Sequence, residues 1–104
     1  MANIKHILYV GLNDKDTKQQ KITTLEAYKI VENIALQYVS GATIHEGRGI
    51  YTHDNGTIIR ETSLIVELFD CTELQVRIIA NTLKTALNQE SIGYEQVKNT
   101  TRFI

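Results

Sequence analysis

The sequence predicts an α+β fold, in which two helices cover one face of an antiparallel sheet and the elements follow the order β-α-β-β-α-β. Two stretches carry apolar residues at helical spacing behind capping sequences, and β-rich runs flank them. The centre of the chain has the pattern of one long hairpin around an Asn-Gly pair. With 104 residues the chain is long enough for one core and too short for two, so we expect a single domain over residues 1–104.

The composition indicates a soluble protein of a reducing compartment. The formal net charge of -1 argues against a protein that binds duplex nucleic acid by neutralising phosphates. Cys71 is the single cysteine of the sequence and cannot form an internal disulfide. The sequence has no apolar stretch of about 18 residues and no signal-peptide core near its start, so we expect a cytoplasmic protein with no membrane partner.

The N-terminal part predicts a strand, a loop and a helix. Residues 4–10 are β-rich and apolar on both faces, which is typical of a buried strand. Residues 12–21 are polar and without periodicity, so we expect a mobile loop that is either simply solvated or functional. Thr23 to Glu26 fits a capping box, and Gly41 fits the end of the helix that follows. The apolar positions of this helix are Ala27, Ile30, Val31, Ile34, Ala35 and Tyr38.

Residues 41–69 predict a long β-hairpin that is closed by a two-residue type I′ turn at Asn55-Gly56. Counting outward from this turn pairs Tyr51 with Arg60. Each strand then has roughly 12 residues, where five or six are usual, so the tip is expected to project beyond the helices. A two-stranded projection is marginally stable alone, and we expect it to pack on a second subunit.

The pairing set by a two-residue turn conflicts with the hydrophobic pattern of the hairpin. It puts Ile44 on the opposite face from the helix-facing residues Leu64, Val66 and Leu68. A glycine inside a strand often marks a β-bulge, and one extra residue would return Ile44 to the helix side. We therefore expect a bulge at Gly47-Arg48-Gly49.

The C-terminal part predicts a second helix and a last strand. Asp70 to Glu73 fits a second capping box. The apolar stripe that follows, up to about Asn88, consists of Leu74, Ile78, Ile79, Leu83, Ala86 and Leu87. Residues 91–97 predict the strand, and the tail that ends in Phe103-Ile104 is expected to dock or pair with something. The six elements make a ferredoxin-like plait with a long projecting central hairpin.

Two helices cover only one face of such a sheet. The apolar residues that strand alternation places on the other face include Ile7, Tyr9, Ile59 and Ile65. Large apolar patches seldom stay exposed on soluble monomers, so we expect a homo-oligomer that assembles through the sheet face and the hairpin.

Short motifs in the chain are similar to those of a known family. They are Gly41-Ala42-Thr43, Gly47-Arg48-Gly49, Tyr51, Asn55-Gly56, Arg60-Glu61, Ser63 and Gln89-Glu90-Ser91-Ile92. In this order they resemble the bacterial domain-of-unknown-function family 3574, with Tyr51 where the family often has Trp. Many relatives carry an export or lipoprotein signal that this sequence lacks. The resemblance implies a ferredoxin-like fold and supplies no established activity.

The arginines of the hairpin have two interpretations. Under the pairing set by a two-residue turn, Arg48 lies diagonal to Glu61 on one face and close to Arg60, so a cross-strand ion pair with Glu61 would give the arginines a purely structural role. Alternatively, one or both guanidinium groups face a cleft and bind a carboxylate or a phosphate, which the planar fork of arginine does better than lysine. The glycines around Arg48 lie within a hairpin rather than between a strand and a helix, so they do not predict a dinucleotide-binding loop.

Histidine and cysteine offer weaker candidates. His45 and His53 lie on one strand, roughly 27 Å apart at about 3.4 Å per residue, so they cannot share an ion and we predict no metal site. His45 is either a hydrogen-bonded strand residue or a general base or ligand contact. Cys71 fits a small packed residue better than a nucleophile. Glu90 is either part of a capped turn or reaches a ligand pocket.

The leading prediction is an oligomeric small-molecule-binding protein that needs no cofactor. Its ligand is expected to be anionic or nucleotide-like, as in a sponge for nucleotide signals, and to lie between subunits against Arg48, Tyr51 and Arg60, with Glu61 and His45 nearby. The first alternative is a small cofactor-free enzyme that performs acid/base chemistry with His45, Tyr51 or Glu61. The second alternative is a structural assembly module.

Overall fold

The computed structural model of the protein describes residues 4–98 and 102–104. The elements are β1 (Ile4–Gly11), α1 (Thr24–Ala35), β2 (Ala42–Thr52), β3 (Ile58–Leu68), α2 (Glu73–Ala86) and β4 (Gly93–Lys98). The strands pair antiparallel in the order β2-β3-β1-β4. The predicted ferredoxin-like β-α-β-β-α-β plait is therefore confirmed. Within the described ranges, neither helix is long and apolar enough to cross a membrane.

The hydrophobic core lies between the sheet and the two helices. β1 and β3 contribute alternate residues that are almost completely buried, namely Leu8, Val10, Leu64, Val66 and Leu68. The buried residues of α1 are Ala27, Val31, Ile34 and Ala35, as the helical spacing predicts. The predicted N-cap of α1, Thr23, is confirmed, because its side chain accepts a hydrogen bond from the Glu26 N–H. The helix ends at Ala35, earlier than Gly41, and turns lead from there into β2.

The apolar stripe of α2 differs from the predicted one. Its buried residues are Val76, Ile79 and Leu83, whereas Leu74 is 68% exposed and Ile78 is 37% exposed. Leu74 and Ile78 each lie two positions from Val76, which is about 200° around the helix. Burial of Val76 against the sheet therefore turns both of these residues towards solvent.

The second helix also begins later than predicted. Thr72 is the N-cap, and Gln75 completes the capping box by accepting from the Thr72 N–H. An N-cap needs an extended backbone. Asp70, the predicted cap, instead has a left-handed φ of 52° in the connection from β3. Asp70 and Glu73 have the spacing of a capping box, but the structure forms the box two positions later, between Thr72 and Gln75.

The tip of the central hairpin is a three-residue loop. The Gly56 N–H donates to the His53 carbonyl, and the His53 N–H donates to the Thr57 carbonyl, both at 2.9 Å. Gly56 has a φ of 84°. A type I turn followed by a left-handed glycine has this geometry, so the predicted two-residue type I′ turn is wrong.

The ladder between β2 and β3 contains no bulge. It runs without interruption along both strands, so the bulge predicted at Gly47-Arg48-Gly49 is wrong. The third loop residue at the tip shifts the register by one position relative to a two-residue turn. Ile44 consequently lies opposite Val66 and packs on the core, as the hydrophobic pattern requires.

The observed register assigns the side chains of the hairpin to two faces. Arg48 and Arg60 belong to the same face as the helix-facing residues of the sheet, whereas His45, Tyr51 and Glu61 belong to the face turned away from the helices. This second face is called the open face below. It also carries the four apolar residues predicted for it, Ile7, Tyr9, Ile59 and Ile65.

The part of the hairpin that extends past β1 forms an arm, residues 48–62. β1 pairs with β3 between Ser63 and Leu68, and the Leu12 N–H donates to the Thr62 carbonyl at the base of the arm. Beyond this point, no other described strand pairs with the two strands of the arm. The molecule is 46 Å long and 25 × 24 Å across. The predicted projection of the hairpin is thus confirmed.

The segment between β1 and α1 differs from the mobile loop that its composition predicts. A β-bridge joins Asn13 to Gln20, and the Asp14 carboxylate accepts hydrogen bonds from the N–H groups of Asp16 and Thr17. Asp14 is only 8% exposed. The segment is therefore an ordered turn that packs against the body of the protein, because its polar side chains bond to its own backbone.

The described end of the tail lies beside β3. The Phe103 ring meets the Phe69 ring edge to face, with 6.1 Å between centroids, as aromatic pairs prefer. Phe103 is still 79% exposed. The contact leaves most of this side chain in solvent, so the predicted docking of the tail is only slight within one chain.

Candidate functional site

A cleft at the base of the arm gathers residues from three separate segments. Its volume of about 310 Å³ lies at the lower end of the range for small-molecule sites. The turn after β1, the arm and the segment after α2 form its walls, and we call it the arm cleft. Its lining residues are Asn13, Asp14, Lys15, Lys18, Tyr51, His53, Ile59, Glu61, Gln89, Glu90 and Ser91.

Tyr51 and Glu61 form the polar centre of the arm cleft. The Tyr51 hydroxyl donates to Glu61 Oε1 at 3.3 Å, and Glu61 Oε2 accepts the backbone N–H of Asn13 at 2.8 Å. Burial raises the pKa of Tyr51, and the negative charge of Glu61 and the hydrogen bond between the two raise it further. Tyr51 is therefore a hydroxyl donor at neutral pH, and it lies beside a carboxylate whose position is fixed by the backbone.

The Glu61 carboxylate occupies space that exists only because residue 11 is glycine. A Cβ atom at Gly11 would lie 2.6 Å from the carboxyl carbon and from both carboxyl oxygens of Glu61. Non-bonded carbon and oxygen atoms do not approach so closely, so any side chain at position 11 would displace the carboxylate. In the sequence, Gly11 is only the residue that ends a strand, and no pattern connects it to Glu61.

The turn after β1 is fixed to the end of α2 by two amide side chains. Asn88 Nδ2 donates to Asp14 Oδ1 at 2.8 Å and to Asp16 Oδ2 at 2.9 Å. Gln89 Nε2 donates to the Asn13 carbonyl at 2.8 Å. The hydrogen bonds from Asn88 and from backbone N–H groups of the turn lower the pKa of Asp14 to about 2. Gln89 is buried, so the sequence motif that it opens anchors one wall of the cleft.

The structure brings together two of the five predicted ligand contacts, Tyr51 and Glu61. Arg48 and Arg60 lie on the reverse side of the arm, where both are exposed and line a shallow depression of about 280 Å³. His45 lies away from the arm and pairs with the Glu67 carboxylate at 3.3 Å. A single site that contains all five residues is not formed within one chain.

The two arginines of the arm do not form the cross-strand ion pair with Glu61 that would give them a purely structural role. The register places Glu61 on the opposite face of the arm from both of them. Over residues 4–98 and 102–104, the ion pairs are Lys5–Glu67, His45–Glu67 and Glu73–Arg77. The charges of Arg48 and Arg60 therefore face solvent or a partner.

His6 and Cys71 are packed within the protein, whereas His53 lies at the candidate site. His6 is buried, with Nδ1 2.6 Å from the Tyr94 hydroxyl, and His53 lies on the rim of the arm cleft. The part of the chain that the structure describes has no group of three His, Cys, Asp or Glu side chains placed to hold a metal ion. Cys71 packs against the core, and burial, followed by the charge of Asp70, raises its pKa. A raised pKa disfavours the thiolate and supports a packing role.

The chain matches the family described as protein of unknown function (DUF3574) over residues 5–103. It belongs to this family, and the resemblance of its sequence motifs is confirmed. No curated protein sequence is significantly similar to the chain.

Solved structures share the fold. A phage SAM lyase in the apo state has a TM-score of 0.74 and 22% sequence identity, with 93% of this chain and 81% of that chain covered. A phage SAM lyase in complex with S-methyl-5′-thioadenosine has a TM-score of 0.72 and 21% identity over the same shares. CutA from Synechococcus elongatus has a TM-score of 0.61 and 16% identity, with 95% of this chain and 79% of that chain covered. At these identities the similarity shows a common fold alone.

Proposed function

We propose that this protein binds a small nucleoside-type molecule in the arm cleft, with Tyr51 and Glu61 as its main contacts. The observation that carries the proposal is the hydrogen-bonded Tyr51–Glu61 pair, which the Asn13 N–H holds in a cleft of about 310 Å³. A few fixed polar groups in a concave site are typical of small-molecule pockets. The proposal keeps the nucleotide-like ligand that the sequence predicts and moves it to the open face of the arm.

The lining of the arm cleft suits each part of an adenosine-type ligand. The Tyr51 ring is 45% exposed and offers a face on which a base can stack. Glu61 can accept hydrogen bonds from ribose hydroxyl groups, as acidic residues do in dinucleotide-binding folds. Ile59, opposite Tyr51 in the ladder, adds apolar surface. The phage SAM lyase solved with S-methyl-5′-thioadenosine supports this class of ligand, because that molecule is a nucleoside without phosphate.

Calorimetric titration with S-methyl-5′-thioadenosine tests the proposal. Glu61→Gln is expected to weaken binding roughly 10- to 150-fold, because hydrogen bonds to a charged group contribute about 1.5–3 kcal/mol. Glu32→Gln, on the exposed side of α1, is the matched control and should bind like the natural protein. If Glu61→Gln and Glu32→Gln bind alike, or if the natural protein does not bind, the arm cleft is not the site of this ligand.

We further propose that the protein self-associates through the open face and the arm. Tyr9 and Val97 are 43% and 37% exposed on the open face, and within the described part of the chain no third strand pairs with the arm. Ile7 is already buried within one chain, with 9% exposed, so the apolar area available to a partner is smaller than the sequence suggests. Light scattering should give at least twice the chain mass of 11.8 kDa. A mass of one chain at tens of micromolar would contradict self-association.

The second candidate function is catalysis by the same two residues. Tyr51 keeps its proton at neutral pH and lies beside a carboxylate, which places a general acid next to an acceptor. The phage SAM lyase, which shares the fold, is an enzyme. A lyase that acted on a sulfonium would break one C–S bond and leave its electron pair on sulfur, which gives a neutral thioether. The carbon next to the one that loses sulfur would give a proton to a base such as Glu61, and a C=C bond would form between the two carbons.

Incubation with S-adenosylmethionine separates the two functions. Chromatography would detect S-methyl-5′-thioadenosine as it forms, and catalysis by this pair predicts that Tyr51→Phe and Glu61→Gln both abolish its formation. Binding of the thioether without any turnover of the sulfonium would leave the binding function and remove the catalytic one.

A further inference from the structure

We propose a second binding site on the reverse side of the arm, in which Arg48 and Arg60 bind a phosphate-class oxyanion. Arg48 lies opposite Thr62 and Arg60 lies opposite Ile50, so the two arginines are diagonal neighbours on one face of the ladder. Diagonal positions of an antiparallel pair are about 7–8 Å apart, and long side chains at such positions can meet. Two guanidinium groups can therefore reach a common anion.

Among residues 4–98 and 102–104, no acidic side chain forms an ion pair with either of these two arginines. The ion pairs found between described residues involve Lys5, His45 and Arg77 as the cations. The nearby Glu61 carboxylate belongs to the other face, where Tyr51 and Asn13 hold it. Two like charges on neighbouring positions of one face repel each other, and a bound oxyanion would replace this repulsion with two attractive contacts.

The surface around the arginines has the shape and chemistry of a small anion site. It is a depression of about 280 Å³ on the arm, and Gly49, Glu61 and Thr62 contribute to its lining besides the arginines. Both carboxyl oxygens of Glu61 are hydrogen-bonded on the other face of the arm, to Tyr51 and to Asn13. The Thr62 hydroxyl can add a neutral donor beside the two charged forks. Ile50 and Ile58, which are 68% and 52% exposed on the same face, provide apolar surface at its edge.

A phosphate group matches this arrangement better than a carboxylate. It carries a charge of about −1.5 to −2 at neutral pH and three acceptor oxygens, so it can engage two forks at once. A single carboxylate presents two oxygens, which one arginine already satisfies in a bidentate pair. The phosphate can be free or can be part of a nucleotide, and the two sources are distinguished below.

An NMR titration with inorganic phosphate tests the site at low ionic strength. We expect saturable shifts of the Arg48 and Arg60 Nε–H signals and of the Gly49 amide, with affinity at least 10-fold weaker in Arg48→Ala and in Arg60→Ala. Arg48→Lys should also weaken binding, because it keeps the charge and loses the fork. Arg77→Ala is the matched control, since Arg77 is an exposed arginine of α2. Added salt should weaken binding.

Unchanged affinity in both alanine variants, or shifts that do not saturate and that appear equally at Arg77, would overturn the proposal. Adenosine 5′-monophosphate distinguishes the two sources of the phosphate. Tighter binding than inorganic phosphate, with added shifts at Ile50 and Ile58 beside the arginines, supports a nucleotide, whereas equal affinity without those shifts supports a free anion. The site is independent of the arm cleft, because the two lie on opposite faces of the arm. If S-methyl-5′-thioadenosine does not bind but phosphate does, only the proposed function is contradicted.

Discussion

Replacement of Gly11 by alanine is expected to move the Glu61 carboxylate and to loosen the arm cleft. The new Cβ would lie 2.6 Å from three atoms of that carboxyl group, so the side chain must leave its present position. It would then lose the hydrogen bond from the Asn13 N–H, which is now 2.8 Å long, and its contact with Tyr51. The core, which lies on the other face of the sheet, keeps its packing.

The size of the effect follows from the lost contact. A hydrogen bond to a charged group contributes about 1.5–3 kcal/mol to the free energy of unfolding. Alanine offsets part of this loss, because it lowers the conformational entropy of the unfolded chain by about 0.4–1 kcal/mol relative to glycine. We therefore expect a net destabilisation of about 1–2 kcal/mol, or a fall in Tm of roughly 4–16 °C for a domain of this size.

Urea denaturation of a double-mutant cycle measures this effect. In a Glu61→Ala background there is no carboxylate to displace, so Gly11→Ala should cost little there. Gly41→Ala is the matched control, because a Cβ at Gly41 has no atom within 4 Å. If Gly11→Ala costs as much without the Glu61 side chain as with it, the contact is not the cause and the role assigned to Gly11 is wrong.

Other parts of the structure lead to further expected outcomes. Gly56→Val should lower the free energy of unfolding by about 1–3 kcal/mol, because a β-branched residue resists the φ of 84°, and an unchanged urea midpoint would show that the tip relaxes freely. The pKa of Asp14 falls from 3.8 to about 2 on folding, so its contribution to stability is complete well above pH 4 and is lost as the pH falls towards 2. Asp14→Asn should flatten this part of the acid dependence of the urea midpoint, and an equally steep profile would contradict the assignment. His45→Ala and Cys71→Ala should bind S-methyl-5′-thioadenosine with unchanged affinity by calorimetry, and a loss above about threefold in either would place that residue at the site.

The position of the hairpin could be predicted from the sequence, and the length of its loop could not. Asn55-Gly56 is compatible with a two-residue loop and with a three-residue loop, since both place the glycine at positive φ. The burial of Ile44 beside Val66 decides between them. This pair lies far from the tip, but the ladder between them is uninterrupted, so their pairing fixes the register and hence the length of the loop. A similar long-range contact with the sheet selects Val76 over Leu74 as the inward residue of α2.

The residues of the candidate site were easier to predict than their grouping. Tyr51 and Glu61 stand out in the sequence, but the face that a residue shares with the partner strand depends on register, and a shift of one position separates Glu61 from Arg48. Gly11 and Asn88 gave no local signal. Their roles arise only where the turn after β1 meets β3 and the end of α2, and that meeting is a property of the tertiary fold.

The length of the three-residue loop also constrains the evolution of β2, because an odd change in that length would move every side chain of the strand to the other face of the sheet. β3 is held in place by β1, so the loss of one residue at the tip would slide β2 by one position against a fixed partner. Ile44 would then leave the core at one end of the strand, and Tyr51 would leave the arm cleft at the other. Insertions and deletions at this solvent-exposed loop should therefore be tolerated in pairs, and family members whose tips differ by an odd number of residues should carry a compensating bulge in β2.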